Sequence, residues 1–157
     1  MYVCKTLILK LTVMKHEPMK IHYLCPHCRS YLRVWKNIIV TVKSIEGKKQ
    51  GLLLLDPDLG NYTYVSHPSL KFIEGEKIEF YCPVCFSNLS ANEINENLVK
   101  IIMVDEQLHE YDIYFSNIAG HQTTFKIAKD NIIERHGDHS SSYTDYFMSK
   151  LKENLRE

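Results

Sequence analysis

Apolar and polar residues alternate in short runs along most of the chain. These runs lie at 38–43, 51–55, 62–66, 70–73, 77–81, 99–104, 109–116 and 123–128. Alternation has a period of two, which places every second side chain on one face of a β-strand. The turns between the runs are rich in Gly, Pro, Asp and Asn. We therefore expect a mainly β protein with antiparallel strands, in which residues 99–128 form a β-meander.

The C-terminal segment has a different period, which predicts an α-helix. An apolar side chain recurs there every four residues, at Tyr143, Phe147, Leu151 and Leu155. Ser142, followed three residues later by Asp145, is similar to a capping box, which starts helices. We expect an amphipathic helix of roughly three to four turns that covers the apolar face of the meander. The alternative is a helix that binds a partner or a second copy of the chain.

Three segments follow from these patterns and from a polar stretch at 90–97. They are an N-terminal leader or extra strand at 1–19, a first domain at 20–97, and the meander with its helix at 98–157. Lys10 and Lys15 interrupt the apolar run of the leader, and no small-residue cleavage site follows it, which argues against a signal peptide. We therefore expect a cytoplasmic protein, in a compartment where stable disulfides are rare.

Composition narrows the classes of function. The chain has 157 residues, of which 45% are hydrophobic, and this suits one domain or two small ones with a packed core. Its 19 Lys and Arg residues balance 19 Asp and Glu residues, which argues against nucleic-acid binding through bulk charge. The sequence has no run of 18 or more apolar residues, so no segment is predicted to span a membrane.

A repeat carries the candidate chemistry. Residues 20–32 and 77–89 are offset by 57 positions and are identical at seven of thirteen positions. The identical residues are a Lys, an Ile, the Cys, Pro and Cys of a Cys-Pro-x-Cys motif, a Ser and a Leu. In each copy, alternating apolar residues lead into the motif. This pattern predicts a strand that ends in a tight turn bearing two cysteines.

Two cysteine pairs favour a metal site over a redox site. Cys-Pro-His-Cys at 25–28 is also the tetrapeptide of disulfide oxidants, in which the first Cys is an acidic nucleophile. Such an oxidant needs one motif within a βαβ fold, whereas no long amphipathic helix follows Cys28. Two matching turns supply four thiolates, enough for a closed tetrahedral zinc site. A thiol-disulfide redox protein at Cys25 and Cys28 stays as an alternative.

Paired Cys-Pro-x-Cys turns at strand ends resemble the zinc-ribbon fold group over residues 20–90. The segment 47–85 is similar to small uncharacterised bacterial proteins, in which a Gly-rich β-insert and a Gly-Glu turn precede the second motif. The resemblance implies a bacterial protein with a zinc-ribbon-like module and a β-hairpin insert. It also implies structural Zn²⁺ held by Cys25, Cys28, Cys82 and Cys85.

Two features depart from the ribbon pattern. Many ribbon turns have Gly directly after the second Cys, but Arg29 and Phe86 occupy those positions here. Either these turns tolerate a positive φ poorly or their geometry differs. In addition, 53 residues separate the two cysteine pairs, so the insert must be folded. Iron in a rubredoxin-like site uses the same four thiolates and is the alternative metal.

Other candidate groups have no assigned chemistry. Cys4 lies in the leader and is expected to be a buried or free thiol that binds no metal. His136, Asp138 and His139 are metal-binding residue types, but we expect a solvated linker because no further ligand is identifiable. The sequence has no P-loop, GxSxG or HExxH motif. We therefore expect that the protein is not an enzyme, and no small-molecule substrate is identified.

Local charge points to a partner. Residues 29–49 hold six basic residues and one acidic residue, a charge of +5, whereas residues 74–112 hold nine acidic and two basic residues, a charge of −7. The candidate contacts to nucleic acid are Arg29, Tyr31, Arg33, Trp35 and Lys36. Basic residues interleaved with aromatic ones suit single-stranded nucleic acid, because rings stack on bases. The favoured alternative is a solvated surface, or one in which the two stretches face each other within the chain or across a dimer.

The sequence therefore predicts a mainly β, non-catalytic protein with a structural Cys4 zinc site. We expect it to act as an interaction module that contacts a protein partner or associates with itself as a homodimer, away from membranes. A zinc-ribbon protein that binds nucleic acid through residues 29–49 is the alternative.

Overall fold

The computed structural model describes residues 19–46, 48–129, 131–154 and 156. The described strands are β1 (His22–Leu24), β2 (Arg33–Val34), β3 (Asn37–Ser44), β4 (Gln50–Leu55), β5 (Tyr64–Ser66), β6 (Ile78–Tyr81), β7 (Leu98–Val104), β8 (Glu110–Ser116), β9 (Thr124–Ala128) and β10 (Asn131–His136), and a helix, α1 (Ser141–Asn154), follows them. This architecture confirms the predicted mainly β class with antiparallel sheets and one C-terminal helix. Cys4 and nearly all of the predicted leader lie outside the described residues.

The first sheet, called the meander sheet, has the order β1-β7-β8-β9-β10 and is antiparallel throughout. The predicted meander corresponds to β7, β8 and β9, with bounds that agree to within one residue. The fifth strand, β10, was not predicted. Its register shifts between Ile132 and Glu134, and such a bulge interrupts the alternation by which an edge strand is recognised.

The second sheet, called the insert sheet, has the order β2-β3-β4-β5, and β6 also pairs with β3. Strand β3 is central because β2 pairs with its start and β6 with its end. The strand predicted at 70–73 is wrong, since Glu76 N donates to Ile73 O in a turn that leads into β6. The predicted core strand at 52–55 is buried fully only at Leu53. Leu52 lies on its opposite face and is 51% exposed.

The two sheets enclose one hydrophobic core. Its buried members come from both sheets and include Tyr23 of β1, Val40 of β3, Phe80 of β6 and Ile101 of β7. The Phe80 ring meets the Phe115 ring edge-on, with centroids 5.3 Å apart. The two segments predicted to divide at residue 97 therefore share this core, and β1 of the first segment pairs with β7 of the second.

A short ladder joins the sheets at their edges. Gly75 N donates to Ala119 O and Ala119 N to Glu76 O, each at 2.8 Å. Ile78 N donates to Asn117 O at 2.8 Å. These bonds tie the segment before β6 to the segment after β8, so the two sheets are linked by main-chain contacts as well as by packing.

Helix α1 packs on the outer face of the meander sheet. Phe147 is fully buried against Tyr114 and Phe125, with ring centroids 5.0 and 4.4 Å away. Burial of one such ring stabilises the fold by about 1.5–3 kcal/mol. The packing of Tyr143 and Phe147 on the chain's own meander is the predicted arrangement, and Leu155 of the predicted stripe lies outside the described residues. The helix begins at Ser141, so Ser142 lies in its first turn and is not the cap.

Among the described residues, no helix has the length and hydropathy needed to cross a membrane.

The segment 136–139 is solvent-exposed at Asp138 and His139, as the sequence suggested, but hydrogen bonds hold it in place. His136 ends β10 and its Nε2 lies 3.0 Å from a Glu134 carboxylate oxygen. His139 Nδ1 accepts a hydrogen bond from Gln122 N at 3.1 Å. Between them Gly137 has φ of +95°, and a Cβ there would lie 2.1 Å from Gln122 O. The close approach of two backbones, and not flexibility, explains this glycine.

We expect Gly137→Ala to lower the free energy of unfolding by at least about 3 kcal/mol, because the new methyl group meets backbone that cannot move aside. Gly75→Ala is the matched control. Gly75 has φ of +87°, but a Cβ added there would have no described atom within 4 Å, so only the dihedral cost of about 1–2 kcal/mol applies. Chemical denaturation measures both, and equal losses would contradict the backbone contact.

Candidate metal centre

Four sulfur atoms converge where the two repeated turns meet. The Sγ atoms of Cys25, Cys28, Cys82 and Cys85 all lie within 4.8 Å of one another. The Cys25–Cys85 pair is 3.9 Å apart and the Cys28–Cys82 pair is 3.8 Å apart. A tetrahedron with metal–sulfur bonds of about 2.3 Å has sulfur–sulfur edges of about 3.8 Å. The cluster therefore has the dimensions of a tetrahedral four-thiolate metal site.

The two turns are near copies in their hydrogen bonds as well as in sequence. In each, the amide of the first Cys donates to a Ser carbonyl five residues on, and its own carbonyl accepts from the residue after the second Cys. These four bonds are Cys25 N to Ser30 O, Arg29 N to Cys25 O, Cys82 N to Ser87 O and Phe86 N to Cys82 O, each at 3.0 Å. The repeat in the sequence is thus a repeat in structure.

Backbone amides point at the sulfur of the first, buried cysteine of each turn, Cys25 or Cys82. His27 N donates to Cys25 Sγ at 3.3 Å, and Val84 N donates to Cys82 Sγ at 3.3 Å. Cys85 N lies 3.5 Å from Cys82 Sγ. Amide donors favour the thiolate over the thiol, since they compensate its negative charge. The turns are therefore built to hold thiolates, which are the metal-binding form of cysteine.

The turns adopt the left-handed backbone that glycine favours, although neither has glycine. Arg29 has φ of +59° and Phe86 has φ of +60°. The sequence left open a poor tolerance of positive φ or a different geometry, and the structure shows the ordinary geometry with non-glycine residues. A left-handed residue with a side chain costs about 1–2 kcal/mol. Both turns carry this cost, and Phe86 gains no burial from it because it is 71% exposed.

Burial and hydrogen bonding divide the four thiols into two kinds. Burial raises the pKa of Cys25 to about 12 and also raises the pKa of Cys82. The pKa values of the second cysteine of each turn, Cys28 and Cys85, are lowered instead. A hydrogen bond from the Ser30 side chain lowers the pKa of Cys28 to about 6, and one from the Ser87 side chain lowers the pKa of Cys85.

Both serines occupy the same place in the repeat. Ser87 Oγ lies 3.3 Å from Cys85 Sγ. Ser30 and Ser87 are among the seven identities between the two copies, so the alignment marked them, but it assigned them no role. Hydrogen bonds from groups outside the ligand set orient ligands and tune a metal site. The two serines would have this role if the four sulfurs bind a metal.

The chain passes from one sheet to the other at each turn. Cys25 follows β1 of the meander sheet, and its turn leads into β2 of the insert sheet. Cys82 follows β6 of the insert sheet, and after its turn Ser90 forms a bridge with Val99 of β7. The four sulfurs therefore lie at the crossing of the two sheets, where a bound metal would join them.

One side chain links the two turns directly. His27 Nε2 lies 3.1 Å from Asn88 O, so the ring donates a hydrogen bond from the first turn to the segment after the second. At the matching position of the repeat, Val84 is 57% exposed. The sequence placed His27 as a turn residue with no catalytic role, and nothing in its spacing indicated the contact with Asn88.

The basic stretch at 29–49 faces the acidic stretch at 74–112 within the chain. Arg29 Nη2 pairs with Glu110, and Lys49 Nζ lies 3.1 Å from Glu76 Oε2. These two contacts are intramolecular, which is one of the arrangements that the sequence left open. Two of the six basic residues of the stretch are thus paired with acidic residues of 74–112 inside one molecule.

The other residues of the candidate nucleic-acid surface fall into two groups. The Arg33 guanidinium donates to Ile21 O at 2.8 Å and to Trp35 O at 3.0 Å, so it fastens backbone and is not free for a phosphate. Tyr31 and Trp35 are 67% and 55% exposed, and Lys36 Nζ lies 4.9 Å from the centroid of the Trp35 ring. Only this second group presents rings and a cation to solvent.

No protein family, no curated protein and no solved structure matches this chain. The fold and the site by themselves define a mainly β protein with a four-cysteine cluster of metal-binding dimensions.

We expect Phe86→Gly to be more stable than Phe86→Ala by about 1 kcal/mol, since both remove the exposed ring but only glycine relieves the left-handed backbone. For a domain of this size that difference corresponds to about 2–4 °C in the unfolding midpoint. Thermal unfolding of the two variants measures it. At a position with negative φ, alanine is more stable than glycine. A Phe86→Ala variant that is more stable than Phe86→Gly would therefore contradict the left-handed turn.

Proposed function

We propose that the protein is a non-catalytic zinc-binding protein in which Cys25, Cys28, Cys82 and Cys85 hold a structural Zn²⁺. The observation that carries the proposal is the set of sulfur–sulfur distances, 3.8 and 3.9 Å, at the crossing of two sheets. Zinc has no redox chemistry and is bound by four cysteines in structural sites. The ion would fix the relative position of the sheets.

A closed set of ligands supports a structural role over a catalytic one. Catalytic zinc sites use three protein ligands and leave a fourth position for water or substrate, whereas four protein sulfurs are available here. A redox enzyme is disfavoured by burial. Its nucleophile is the first Cys of the pair and must be accessible, but Cys25 is fully buried and Cys28 is the exposed member.

We further propose that the zinc site presents an interaction surface to a protein partner or to a second copy. The exposed tip of the second turn carries Val84 and Phe86, which are 57% and 71% exposed. Phe86 keeps a strained backbone without burying its ring. Strain of this kind is concentrated at sites of function, and aromatic residues are enriched in interfaces.

Metal content tests the zinc site. We expect one zinc per chain in the untagged wild-type protein by elemental analysis, and loss of zinc together with native tertiary structure in Cys82→Ser. Apparent binding energies of structural zinc sites are about 10–16 kcal/mol, comparable to the whole stability of a domain. Cys4→Ser is the matched control, because it removes a thiol that belongs to neither Cys-Pro-x-Cys motif and should retain the metal.

Three results would contradict this proposal. One is iron in place of zinc, which elemental analysis detects together with thiolate-to-iron absorption in the visible range. Another is a metal-free wild type with Cys25 and Cys28 joined in a disulfide, which would favour the redox protein. The third is full zinc retention in Cys82→Ser, since a site that needs all four thiolates cannot lose one unchanged.

A nucleic-acid-binding role is the second candidate, and the exposed rings of Tyr31 and Trp35 beside Lys36 favour it. If it holds, single-stranded RNA binds with an affinity that falls steeply with salt. Trp35→Ala should then weaken binding by about 1–3 kcal/mol through lost stacking. Tyr146→Ala is the control, as Tyr146 is similarly exposed on α1. Binding that is absent or insensitive to salt in a gel-shift titration would exclude this role.

A further inference from the structure

A cavity of about 460 Å³ lies between the insert sheet and the meander sheet. Its inner wall is apolar and is formed by side chains from both sheets, among them Ile38, Leu53, Phe80, Ile113 and Phe115. The cavity opens to solvent at one side, and its volume falls within the range of small-molecule sites. Its size therefore suits a small ligand.

Two loops form the mouth of the cavity, and both are fixed to the opposite sheet. The loop between β4 and β5 is held by Tyr62, whose hydroxyl lies 3.1 Å from Thr124 Oγ1 of β9. The same loop accepts a hydrogen bond at Pro57 O from the Tyr23 hydroxyl at 2.5 Å. The loop after β8 is held by the main-chain ladder at 117–119. The cavity is thus formed in advance of any ligand.

Two buried hydrogen-bonding atoms in the cavity wall have no partner among the described residues. Asn117 lines the cavity and is 6% exposed, and its Oδ1 has no hydrogen bond, although its amide nitrogen donates to Glu96 O at 3.1 Å. His121 also lines the cavity, and its buried Nδ1 has no partner. A buried polar atom without a partner is costly. A ligand that donates hydrogen bonds would satisfy Asn117 Oδ1, and it would satisfy His121 Nδ1 in the tautomer that carries the proton on Nε2.

The carboxylates of the cavity have no basic residue beside them in its wall. Asp56, Asp58 and Glu74 line it, and within the described part of the chain no Lys or Arg does. None of these carboxylates forms an ion pair with another described residue. Asp56 Oδ1 accepts a hydrogen bond from Asp58 N. The electrostatic potential of these carboxylates therefore favours a cationic group, while the apolar side chains of the wall favour a hydrophobic ligand.

We propose that this cavity is a binding site for a small hydrophobic amine, with its apolar or aromatic body between the sheets and its ammonium group among the carboxylates and the Asn117 oxygen. The ammonium group would donate hydrogen bonds to the atoms without partners. Its positive charge would complement the carboxylates, which have no Lys or Arg beside them in the wall. This site goes beyond the proposed zinc site, because it uses none of the four cysteines.

Three indole ligands of nearly equal size test the charge preference. Tryptamine is cationic, tryptophol is neutral and indole-3-propionate is anionic at pH 7. We expect calorimetric titration of the full chain at low salt to give one tryptamine per chain with a submillimolar Kd. Tryptophol should bind at least about fivefold more weakly, and indole-3-propionate more weakly still, as expected for partly exposed charge pairs.

Variants separate the cavity from nonspecific binding. Asp56→Asn combined with Glu74→Gln should reduce tryptamine affinity towards that of tryptophol, with the remaining preference due to Asp58, and leave tryptophol binding unchanged. Glu46→Gln combined with Glu153→Gln is the matched control, because it removes the same charge from exposed carboxylates that do not line the cavity. Ala119→Phe places a ring in the wall and should abolish binding of both ligands. Circular dichroism and zinc content verify that each variant is folded.

The proposal would be overturned by any of three results in folded protein. The first is no binding of any of the three ligands at millimolar concentration. The second is indole-3-propionate binding as tightly as tryptamine. The third is tryptamine binding that Ala119→Phe leaves intact or that the two charge-matched double variants reduce equally. Wild-type protein with full zinc content and no ligand binding would reject the amine site alone and leave the zinc site standing.

Discussion

The convergence of four cysteines at the crossing of two sheets is the constraint on which the rest of the structure depends. Each cysteine turn takes the chain from one sheet to the other, and 53 residues lie between the two pairs. The shared core, the main-chain ladder at 117–119 and the Tyr23–Pro57 hydrogen bond also specify how the sheets face each other. A structural zinc here would contribute on the order of 10–16 kcal/mol, against a typical total stability of about 5–15 kcal/mol. The fold and the metal would therefore form together.

The same constraint accounts for the space between the sheets. Sheets that pack freely approach until their side chains interdigitate. Here the cysteine turns, the Tyr23–Pro57 hydrogen bond and the main-chain ladder at 117–119 join the sheets at their edges. Side chains such as Leu53 and Phe115 line a cavity that they do not fill. A metal bound at the crossing would add stability that offsets the unfilled interior.

The sequence predicted what depends on local pattern and missed what depends on distant contacts. Alternation placed β7, β8 and β9, and the repeat at 20–32 and 77–89 identified all four cysteines, because period and spacing are visible in the chain. Strand β10 has a bulge that breaks the alternation, and the pairing of β1 with β7 joins residues about eighty positions apart. Asn117 and Glu74 have no motif. The cavity exists only once both sheets are assembled, so no linear pattern could predict it.

Left-handed positions show where this chain departs from its own local preferences. Trp35, Phe86 and Leu108 all have positive φ, and all three are more than half exposed. Glycine would relieve the backbone at each, and burial cannot explain the retained side chain. Such residues persist only where the surrounding structure over-determines the backbone. At Phe86 the hydrogen bond from its amide to Cys82 O, together with the geometry of the sulfur cluster, supplies that restraint. The cysteine turn can thus hold a bulky aromatic side chain in solvent, where a partner rather than the protein's own core can contact it.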